Sequence, residues 1–319
     1  FRSIAAHVEA FAKVGVKTAC EKDGAWFSVE KRGKDEYRVW QKEASVTATE
    51  NLAMYAAGVE KKIEIIDAAA EPHVSDILRL LVAMGAKISG IGSNRLEIKG
   101  RKKLEGAAME AGPDFVDIAG IMAAVGIAGG KVRIKGANID EIVGGLRNWF
   151  ELFGIKIEEE GKDLVVSREG KLRIDQGRSD VPLAEEGLPK LAPRPWPGFP
   201  VDVIPVMAAL ACKAEGKLQL QNWMYESGFD FVKDLNQMGA DIFMDDSQKI
   251  IVKGPVKFRG GEVTPPQVIQ AVKAVFLAAM ADPCETIIHG TDILRRRYPD
   301  IFSVYRSLGA EIQSIEGVK

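Results

Sequence analysis

Three stretches of this chain carry side chains that could do chemistry. Asp202 ends the phrase FPVD and stands directly before the apolar run VIPVMAALAC. A carboxylate there either caps the helix predicted for that run or serves as a general base after a proline-rich loop. Residues 295–297 are three arginines, which form either a solvated basic turn or a bidentate clamp for an anion. Residues 45–51, SVTATEN, are a small-residue loop entering a predicted helix, where backbone N–H groups favour an anion.

Metal chemistry has little support in the sequence. The three histidines, His7, His73 and His289, are scattered along the chain, and no HExxH pattern occurs. The three cysteines, at positions 20, 212 and 284, do not have the spacing of metal ligands. We therefore predict no bound metal, and three thiols in a chain of this length favour a reducing compartment.

Composition excludes several classes of protein. The chain has 319 residues, of which 46% are hydrophobic and 28% charged, which suits a globular protein of about two domains. The net charge of −2 provides no overall field that would select nucleic acid or an anionic membrane. No apolar window is long enough to predict a membrane span, so we expect a cytoplasmic protein. The first residues, FRSIAAHVEAF, lack Met and a signal-peptide pattern, and we expect an N-terminal portion to precede them.

One phrase recurs five times along the chain: an apolar helix end, a glycine, and then an alternating strand. The spacing is about 70 residues, with one longer interval, and a fixed period of this kind predicts a repeated structural unit. The central glycines are Gly15, Gly85, Gly154, Gly239 and Gly309. The longer interval contains the proline-rich stretch 181–200, which predicts an extended loop that is either functional or a plain surface connection.

The clearest repeat, residues 45–100, predicts the order helix, strand, helix, strand, strand. Copies over residues 114–170 and 199–254 have the same pattern. The first copy lacks its opening helix and strand. The fifth copy begins near residue 264. Its first strand after the central glycine is predicted at AEIQS, and the final strand of the unit is missing. We expect an N-terminal strand outside these residues to complete the last unit.

These repeats carry phrases that resemble the enolpyruvyl transferases, and more closely those that act on UDP-N-acetylglucosamine than those that act on shikimate 3-phosphate. The phrases are SVTATEN, IDAAAEPHVSDILRLLVAMGAKISGIGSNRLEIKG, GPDFVDIAG, FPVD and RRRYPDIFSVYRSLGAEI. The resemblance implies an α+β (α/β) fold, in which two domains of three βαβαββ repeats each form an inside-out α/β barrel. Residues 1–111 would then be a partial N-terminal domain with one full and one partial repeat, and residues 112–319 a C-terminal domain of three repeats.

The resemblance also implies a reaction. The family moves the enolpyruvyl group of phosphoenolpyruvate to the 3-hydroxyl of UDP-N-acetylglucosamine and releases phosphate, the first committed step of peptidoglycan synthesis. Such a reaction needs a base for the hydroxyl proton, an acid for the enol carbon, and cations that hold phosphate and carboxylate. It needs no metal or organic cofactor, and the expected partners are these two small molecules, with neither nucleic acid nor a membrane.

Matching the family's motifs assigns roles to particular residues. Asp202 matches the general base, and Arg296 matches an arginine that clamps the phosphate of phosphoenolpyruvate, with a register uncertain by one among the three arginines. The remaining substrate-binding residues that the resemblance implies are Arg2, Ser45, Val46, Thr47 and Met224. The resemblance implies that Asp202 and the arginine face a crevice between two lobes.

Several positions depart from the family pattern. Arg297 stands where the family has Gly, and Phe115 stands where it has Arg. The segment TPPQVIQ, which ends at Gln270, replaces an Asp-Leu-Arg feature of the family, and Glu43, Val201 and Gly228 also differ. The family's N-terminal Lys-Asn pair and mobile loop with a cysteine acid have no counterpart in these residues, so we expect this 319-residue chain to be inactive alone. Two other hypotheses stay open: a silent or divergent relative that binds a nucleotide sugar or a partner, and a structural repeat array.

Overall fold

The computed structural model describes residues 4–21, 24–29, 34–175 and 187–315. The chain divides into two compact units, and each is described by itself. The first consists of Phe1–Gly112 with Pro195–Pro197, and the second of Pro113–Arg194 with Gly198–Lys319.

The described residues of the first unit form three helices and six strands. In chain order these are α1 (Ala5–Ala12), β1 (Val16–Glu21), β2 (Gly24–Val29), β3 (Glu36–Trp40), α2 (Val46–Ala57), β4 (Lys62–Ile66), α3 (Pro72–Ala83), β5 (Lys87–Ser89) and β6 (Arg95–Lys99). Strands β1 and β2 form an antiparallel hairpin. The other four form a mixed sheet in the order β3-β4-β6-β5, in which only β3 and β4 run parallel.

Apolar residues that alternate with polar ones along the strands form the core of this unit. Ile63 and Ile65 on β4 lie opposite Ile98 and Leu96 on β6, and all four are buried. Helix α2 covers this face with small residues and Leu52, which let the helix approach the sheet closely. Helix α3 ends before Gly85, whose φ of +107° is a left-handed conformation that glycine adopts without steric cost.

The second unit contains the remaining helices and strands. They are α4 (Phe115–Ala128), β7 (Gly130–Ile134), α5 (Asp140–Glu151), β8 (Lys156–Glu160), β9 (Asp163–Arg168), β10 (Lys190–Leu191), α6 (Ile204–Lys213), β11 (Gly216–Gln221), α7 (Val232–Gln237), β12 (Asp241–Asp246), β13 (Lys249–Gly254), β14 (Gly261–Val263), α8 (Ile269–Ala279), β15 (Thr286–Ile288) and α9 (Ile301–Ser307). Two 3₁₀-helices, Val201–Val203 and Thr291–Arg296, precede α6 and α9. The sheets have the orders β7-β9-β8, β10-β11-β13-β12 and β14-β15.

Three helices form the centre of the second unit. Helices α4, α6 and α8 contact one another and are apolar on nearly every side, as a fully buried helix must be. Every residue from Ile204 to Cys212 on α6 is buried. The sheets pack around these helices, which places the helices inside and the strands outside. The predicted α/β fold with an inside-out arrangement is confirmed.

The predicted repeat order is confirmed in residues 45–100, 114–170 and 199–254, each of which folds as helix, strand, helix, strand, strand. The strand predicted at AEIQS is wrong: described residues 310–315 contain no strand. Their backbone instead closes the end of α9, where the Ala310 N–H donates to the Tyr305 carbonyl and Arg306 binds the Ile312 carbonyl. A strand needs a paired neighbour, and the two-stranded β14-β15 sheet does not extend to this segment within the described residues.

The described part of the proline-rich loop contains a short strand. Lys190 and Leu191 form a two-residue strand parallel to β11, and Leu191 is buried. Residues 176–186 lie outside the described part of the chain. No helix within the described residues has the length and apolarity to cross a membrane.

Close packing of the central helices predicts a contrast between two glycine substitutions. A Cβ on Gly126 in α4 would lie 2.6 Å from Cδ1 of both Ile155 and Leu210, which are buried. Gly126→Ala should therefore lower the free energy of unfolding by about 1–3 kcal/mol, because two packed side chains must shift. Gly144 on α5 is exposed with nothing near its Cβ position, so Gly144→Ala should raise stability by about 0.5–1 kcal/mol. Urea unfolding of the two variants checks this, and equal stabilisation by both would contradict the packing.

Candidate active site

Asp202 lies in the 3₁₀-helix that leads into α6. The hypothesis that it caps this helix is wrong, because the N-cap residue of α6 is Val203 and no side chain makes a capping hydrogen bond there. The short 3₁₀ turn moves Asp202 ahead of the capping position, and Pro205 in the first turn of α6 has no N–H to offer. The half-exposed carboxylate instead faces Arg297, whose Nη1 lies 3.6 Å from Oδ2 of Asp202.

Arg297 is held by a second carboxylate. Its Nε and Nη2 donate to Oδ2 and Oδ1 of Asp114 at 2.7 and 2.8 Å, a bidentate geometry that matches the two planar groups. Asp114 also caps α4, where its Oδ1 accepts from the N–H groups of Val116 and Asp117 at 2.9 and 3.3 Å. The Asp114 side chain therefore caps a helix that begins next to it in the sequence and also forms an ion pair with a residue far away in the sequence.

These contacts determine the ionisation of both partners. Burial opposes the charged form of Asp114, but the Arg297 hydrogen bonds and charge, with the two helix N–H donors, hold the pKa of the carboxyl below its ordinary value. Burial likewise opposes the cationic form of Arg297, and its hydrogen bonds to Asp114 outweigh this and raise the pKa of the guanidinium. Arg297 is thus a permanent cation in the site.

A buried lysine forms the next layer. Lys273 on α8 is fully buried, and its Nζ lies 2.9 Å from Oδ1 of Asp117 and 3.9 Å from the centre of the Tyr298 ring. A Cβ on Gly120 of α4 would lie 2.3 Å from this Nζ, so a larger residue there would force the lysine side chain to move. Burial lowers the pKa of Lys273 more than Asp117 raises it, and burial raises the pKa of Tyr298.

The beginnings of the three central helices meet at these contacts. Asp114 and Asp117 lie at the start of α4, Asp202 lies just before α6, and Lys273 lies in the second turn of α8. The cluster has three carboxylates and two cations. Lys273 pairs with Asp117, and Arg297 gives its two close hydrogen bonds to Asp114. Asp202 therefore has the weakest hold on a cation and keeps lone pairs with which it can accept a proton.

The three consecutive arginines, residues 295–297, have different surroundings because the 3₁₀-helix ends within the run. The 3₁₀-helix ends at Arg296, which is exposed, and Arg297 is the member that turns toward Asp202. The Arg295 guanidinium lies 6.0 Å from the centre of the Phe302 ring. The predicted phosphate-clamping role of Arg296 stays a prediction. Arg297 was left open as an alternative when Arg296 was preferred, and the signal that could have favoured it was a cation in a position where the family has glycine.

The other predicted binding residues fall in three places. Ser45 caps α2, where its Oγ accepts from the Ala48 N–H at 3.4 Å, and Val46 and Thr47 form the first turn of the helix. Met224 lies 36% exposed in the turn after β11, beside Trp223, whose Nε1 donates to the Pro193 carbonyl at 2.9 Å. Arg2 lies outside the described residues. Their binding roles stay predictions.

Two positions at which the sequence departs from the family pattern are part of the interior. Phe115 and Gln270 are 5% and 7% exposed, and they lie at the starts of α4 and α8. The cations nearest the reported carboxylates are instead Lys273 and Arg297. No group of three His, Cys, Asp or Glu side chains in the described ranges could hold a metal ion.

The bidentate pair predicts how stability depends on pH. Asp114→Asn keeps a capping oxygen for α4 but removes the charge opposite Arg297, so it should lower the free energy of unfolding by about 2 kcal/mol at pH 7. The folded pKa of Asp114 lies below its ordinary value of 3.8. Its contribution is therefore complete above that value and is lost as the pH falls through the lower folded pKa, where the two stabilities should converge.

The matched control for this prediction is Asp140→Asn, at the exposed first residue of α5. It should cost about 0.5 kcal/mol or less, because an exposed carboxylate interacts only with the helix dipole. Denaturant unfolding from neutral to acid pH measures both variants. A loss for Asp114→Asn that equals the control, or one that persists undiminished at acid pH, would contradict the ion pair.

Comparison with known proteins shows which family this chain resembles. The profile of EPSP synthase (3-phosphoshikimate 1-carboxyvinyltransferase) matches residues 1–305. UDP-N-acetylglucosamine 1-carboxyvinyltransferase of Treponema denticola is 32% identical over 98% of this chain and 71% of its own length. The protein of the same name from Borreliella burgdorferi is 34% identical over 86% of this chain and 62% of its length. The Bradyrhizobium diazoefficiens protein of that name is 32% identical over 98% and 70%.

Solved structures agree on the fold. The enolpyruvyl transferase NikO from Streptomyces tendae superposes with a TM-score of 0.84 at 20% identity, over 98% of this chain and 72% of that one. EPSP synthase from Acinetobacter baumannii superposes with a TM-score of 0.68 at 18% identity, also over 98% and 72%. The chain thus spans 62 to 71% of the length of these curated relatives. With a profile match across nearly all its residues and this shared architecture, the chain belongs to the EPSP synthase family of carboxyvinyl transferases.

Proposed function

We propose that the intact protein transfers the enolpyruvyl group of phosphoenolpyruvate to the 3-hydroxyl of UDP-N-acetylglucosamine and releases phosphate. The observation that carries this proposal is the 32–34% identity, over most of the chain, with proteins named for that transfer. The site in the second unit supports it, because Asp202 offers a carboxylate that neither caps a helix nor is saturated by hydrogen bonds. The reaction belongs to the synthesis of a peptidoglycan precursor, and we place it in the cytoplasm.

The proposed chemistry has two stages. Asp202 takes the proton of the sugar 3-hydroxyl while the hydroxyl oxygen bonds to C2 of phosphoenolpyruvate, and an acid delivers a proton to C3. The resulting adduct then loses the C3 proton as the C2–phosphate oxygen bond breaks, which restores the double bond and releases inorganic phosphate. The Arg297 cation, whose Nη1 lies 3.6 Å from Oδ2 of Asp202, offers this carboxylate a counter-charge.

Binding roles complete the proposal. Arg296 contacts the phosphate of phosphoenolpyruvate, for which an exposed guanidinium at the end of a 3₁₀-helix is suited. Ser45, Val46 and Thr47 receive the diphosphate at the start of α2, where helix N–H groups and the helix dipole favour negative charge. Met224 contacts the uridine, and Arg2 contacts a substrate phosphate. The protein uses no metal or organic cofactor in this scheme.

The proposal predicts a selective loss of turnover in Asp202→Asn. The amide keeps the size of the side chain but cannot accept the hydroxyl proton, so kcat should fall about 10²- to 10⁴-fold with both KM values within a few-fold of wild type. The measurement is phosphate release from phosphoenolpyruvate that depends on UDP-N-acetylglucosamine, made on the intact gene product. Asp140→Asn is the control and should keep wild-type turnover, because it is exposed on α5.

Other outcomes would contradict the proposal in different ways. Asp202→Asn with near-normal kcat would remove this residue from the chemistry. A wild-type protein that releases no phosphate but gains thermal stability with UDP-N-acetylglucosamine would be a binding relative without this activity. A protein that shows neither effect would favour a structural repeat array.

A further inference from the structure

The three donor nitrogens of Arg297 serve two different carboxylates. Nε and Nη2 are engaged by Asp114 at 2.7 and 2.8 Å, while Nη1 points toward Asp202 at 3.6 Å. The first two distances are charge-assisted hydrogen bonds, whereas the third is an ionic contact too long to be one. One cation is thus shared unequally between an anchored carboxylate and a carboxylate with free lone pairs.

We propose that Arg297 is a positioning residue for Asp202: it offers the proposed base a fixed counter-charge and an orientation without consuming the lone pairs that accept the substrate proton. The inference rests on the proposed function and deepens it. A base that accepted a short bidentate bond from arginine would hold its charge too tightly to accept a proton at neutral pH.

The surroundings of Arg297 keep the guanidinium in place. Tyr298, the next residue in the chain, is 5% exposed, and Leu294, one turn of the 3₁₀-helix earlier, is 0% exposed, so burial holds the backbone on both sides of Arg297. Asp114 is itself fixed, because it caps α4 through two backbone N–H groups. The guanidinium plane is therefore set by contacts that do not involve Asp202, as pre-organisation of a catalytic group requires.

No other cation in the described residues is placed to do this. The 3₁₀-helix of Asp202 packs against α4 and α6. Helix α4 presents only carboxylates, Asp114 and Asp117, at this end. Lys273 of α8 is bound to Asp117, and Lys213, at the far end of α6, is bound to Asp282 at 2.7 Å. Removal of Arg297 would leave Asp202 facing Asp114 without a shared counterion, and like charges raise a carboxyl pKa.

The test compares Arg297→Met and Arg297→Lys in the intact protein. In the pH profile of kcat/KM for the acceptor sugar, Arg297→Met should move the acid limb up by about one pH unit or more. Raising the pH should then recover part of the lost rate. Arg297→Lys keeps the charge, so its acid limb should stay near wild type, but kcat should fall because a lysine cannot reproduce the bidentate anchor.

Controls separate this role from substrate binding and from a folding defect. The KM for phosphoenolpyruvate should stay within a few-fold of wild type, and a large rise would make Arg297 a phosphate ligand instead. Arg133→Met, which removes an exposed arginine of β7, should leave the profile unchanged. Because Arg297→Met leaves Asp114 unpaired, the double variant Asp114→Asn/Arg297→Met provides a neutral cap. The double variant should show a smaller upward shift of the acid limb than Arg297→Met. In it Asp202 has lost the cation, but it no longer lies near a charged Asp114.

A second readout needs no activity. Asp-specific ¹³C labelling of the side-chain carboxyl carbon, assigned with Asp202→Asn, gives the titration midpoint of Asp202 directly, and Arg297→Met should raise that midpoint. If the wild type releases no phosphate, the proposed function fails while this titration still decides the positioning role. If the wild type is active but neither the acid limb nor the midpoint moves in Arg297→Met, the inference is overturned.

Discussion

The ion pair between Asp114 and Arg297 is the contact on which the polar site of the second unit depends. It joins two residues that are 183 positions apart and links the start of α4 to the segment between a 3₁₀-helix and α9. Asp114 is satisfied by two backbone donors and two guanidinium donors, so both partners remain charged despite their partial burial. Without this pair Arg297 would have no fixed position, and Asp202 would have no cation within reach in the described residues.

The repeat architecture explains why charged groups gather here. The central helices α4, α6 and α8 are apolar along most of their lengths, and the carboxylates of this site lie where α4 and α6 begin and backbone N–H groups lack partners. Each repeat contributes one such helix, and their beginnings lie together. Carboxylates at these ends are favoured by the helix dipoles, and buried cations must then balance the accumulated negative charge. The site is thus a consequence of stacking three similar units.

The elements and the position of Asp202 could be predicted from the sequence because they depend on local patterns. The alternating strands and the motif FPVD are each visible within a few consecutive residues, and the glycines recur at a nearly fixed spacing. The proposed cap by Asp202 failed because a 3₁₀ turn inserted before α6 shifts the register of the helix start. The strand at AEIQS failed because a strand requires a partner, which no local pattern specifies.

Arg297 and Lys273 show what the sequence cannot indicate. Three consecutive arginines are alike in composition, and only the end of the 3₁₀-helix at Arg296 decides which one turns inward. Lys273 lies in an apolar helix where burial of a charge looks unfavourable. Its partner Asp117 lies 156 residues away, and the space it occupies depends on Gly120. The hydrophobic periodicity of the sequence reveals neither a pairing between residues far apart in the chain nor the space that a glycine leaves for a distant side chain.

A double-mutant cycle between Asp114 and Arg297 tests the central claim most directly. The free energies of unfolding of wild type, Asp114→Asn, Arg297→Met and the double variant at pH 7 yield the coupling energy of the pair. We predict a favourable coupling of about 1–3 kcal/mol, which should vanish at a pH below the folded pKa of Asp114. A coupling within error of zero at neutral pH would show that the two residues do not hold each other and that the site is not built as described.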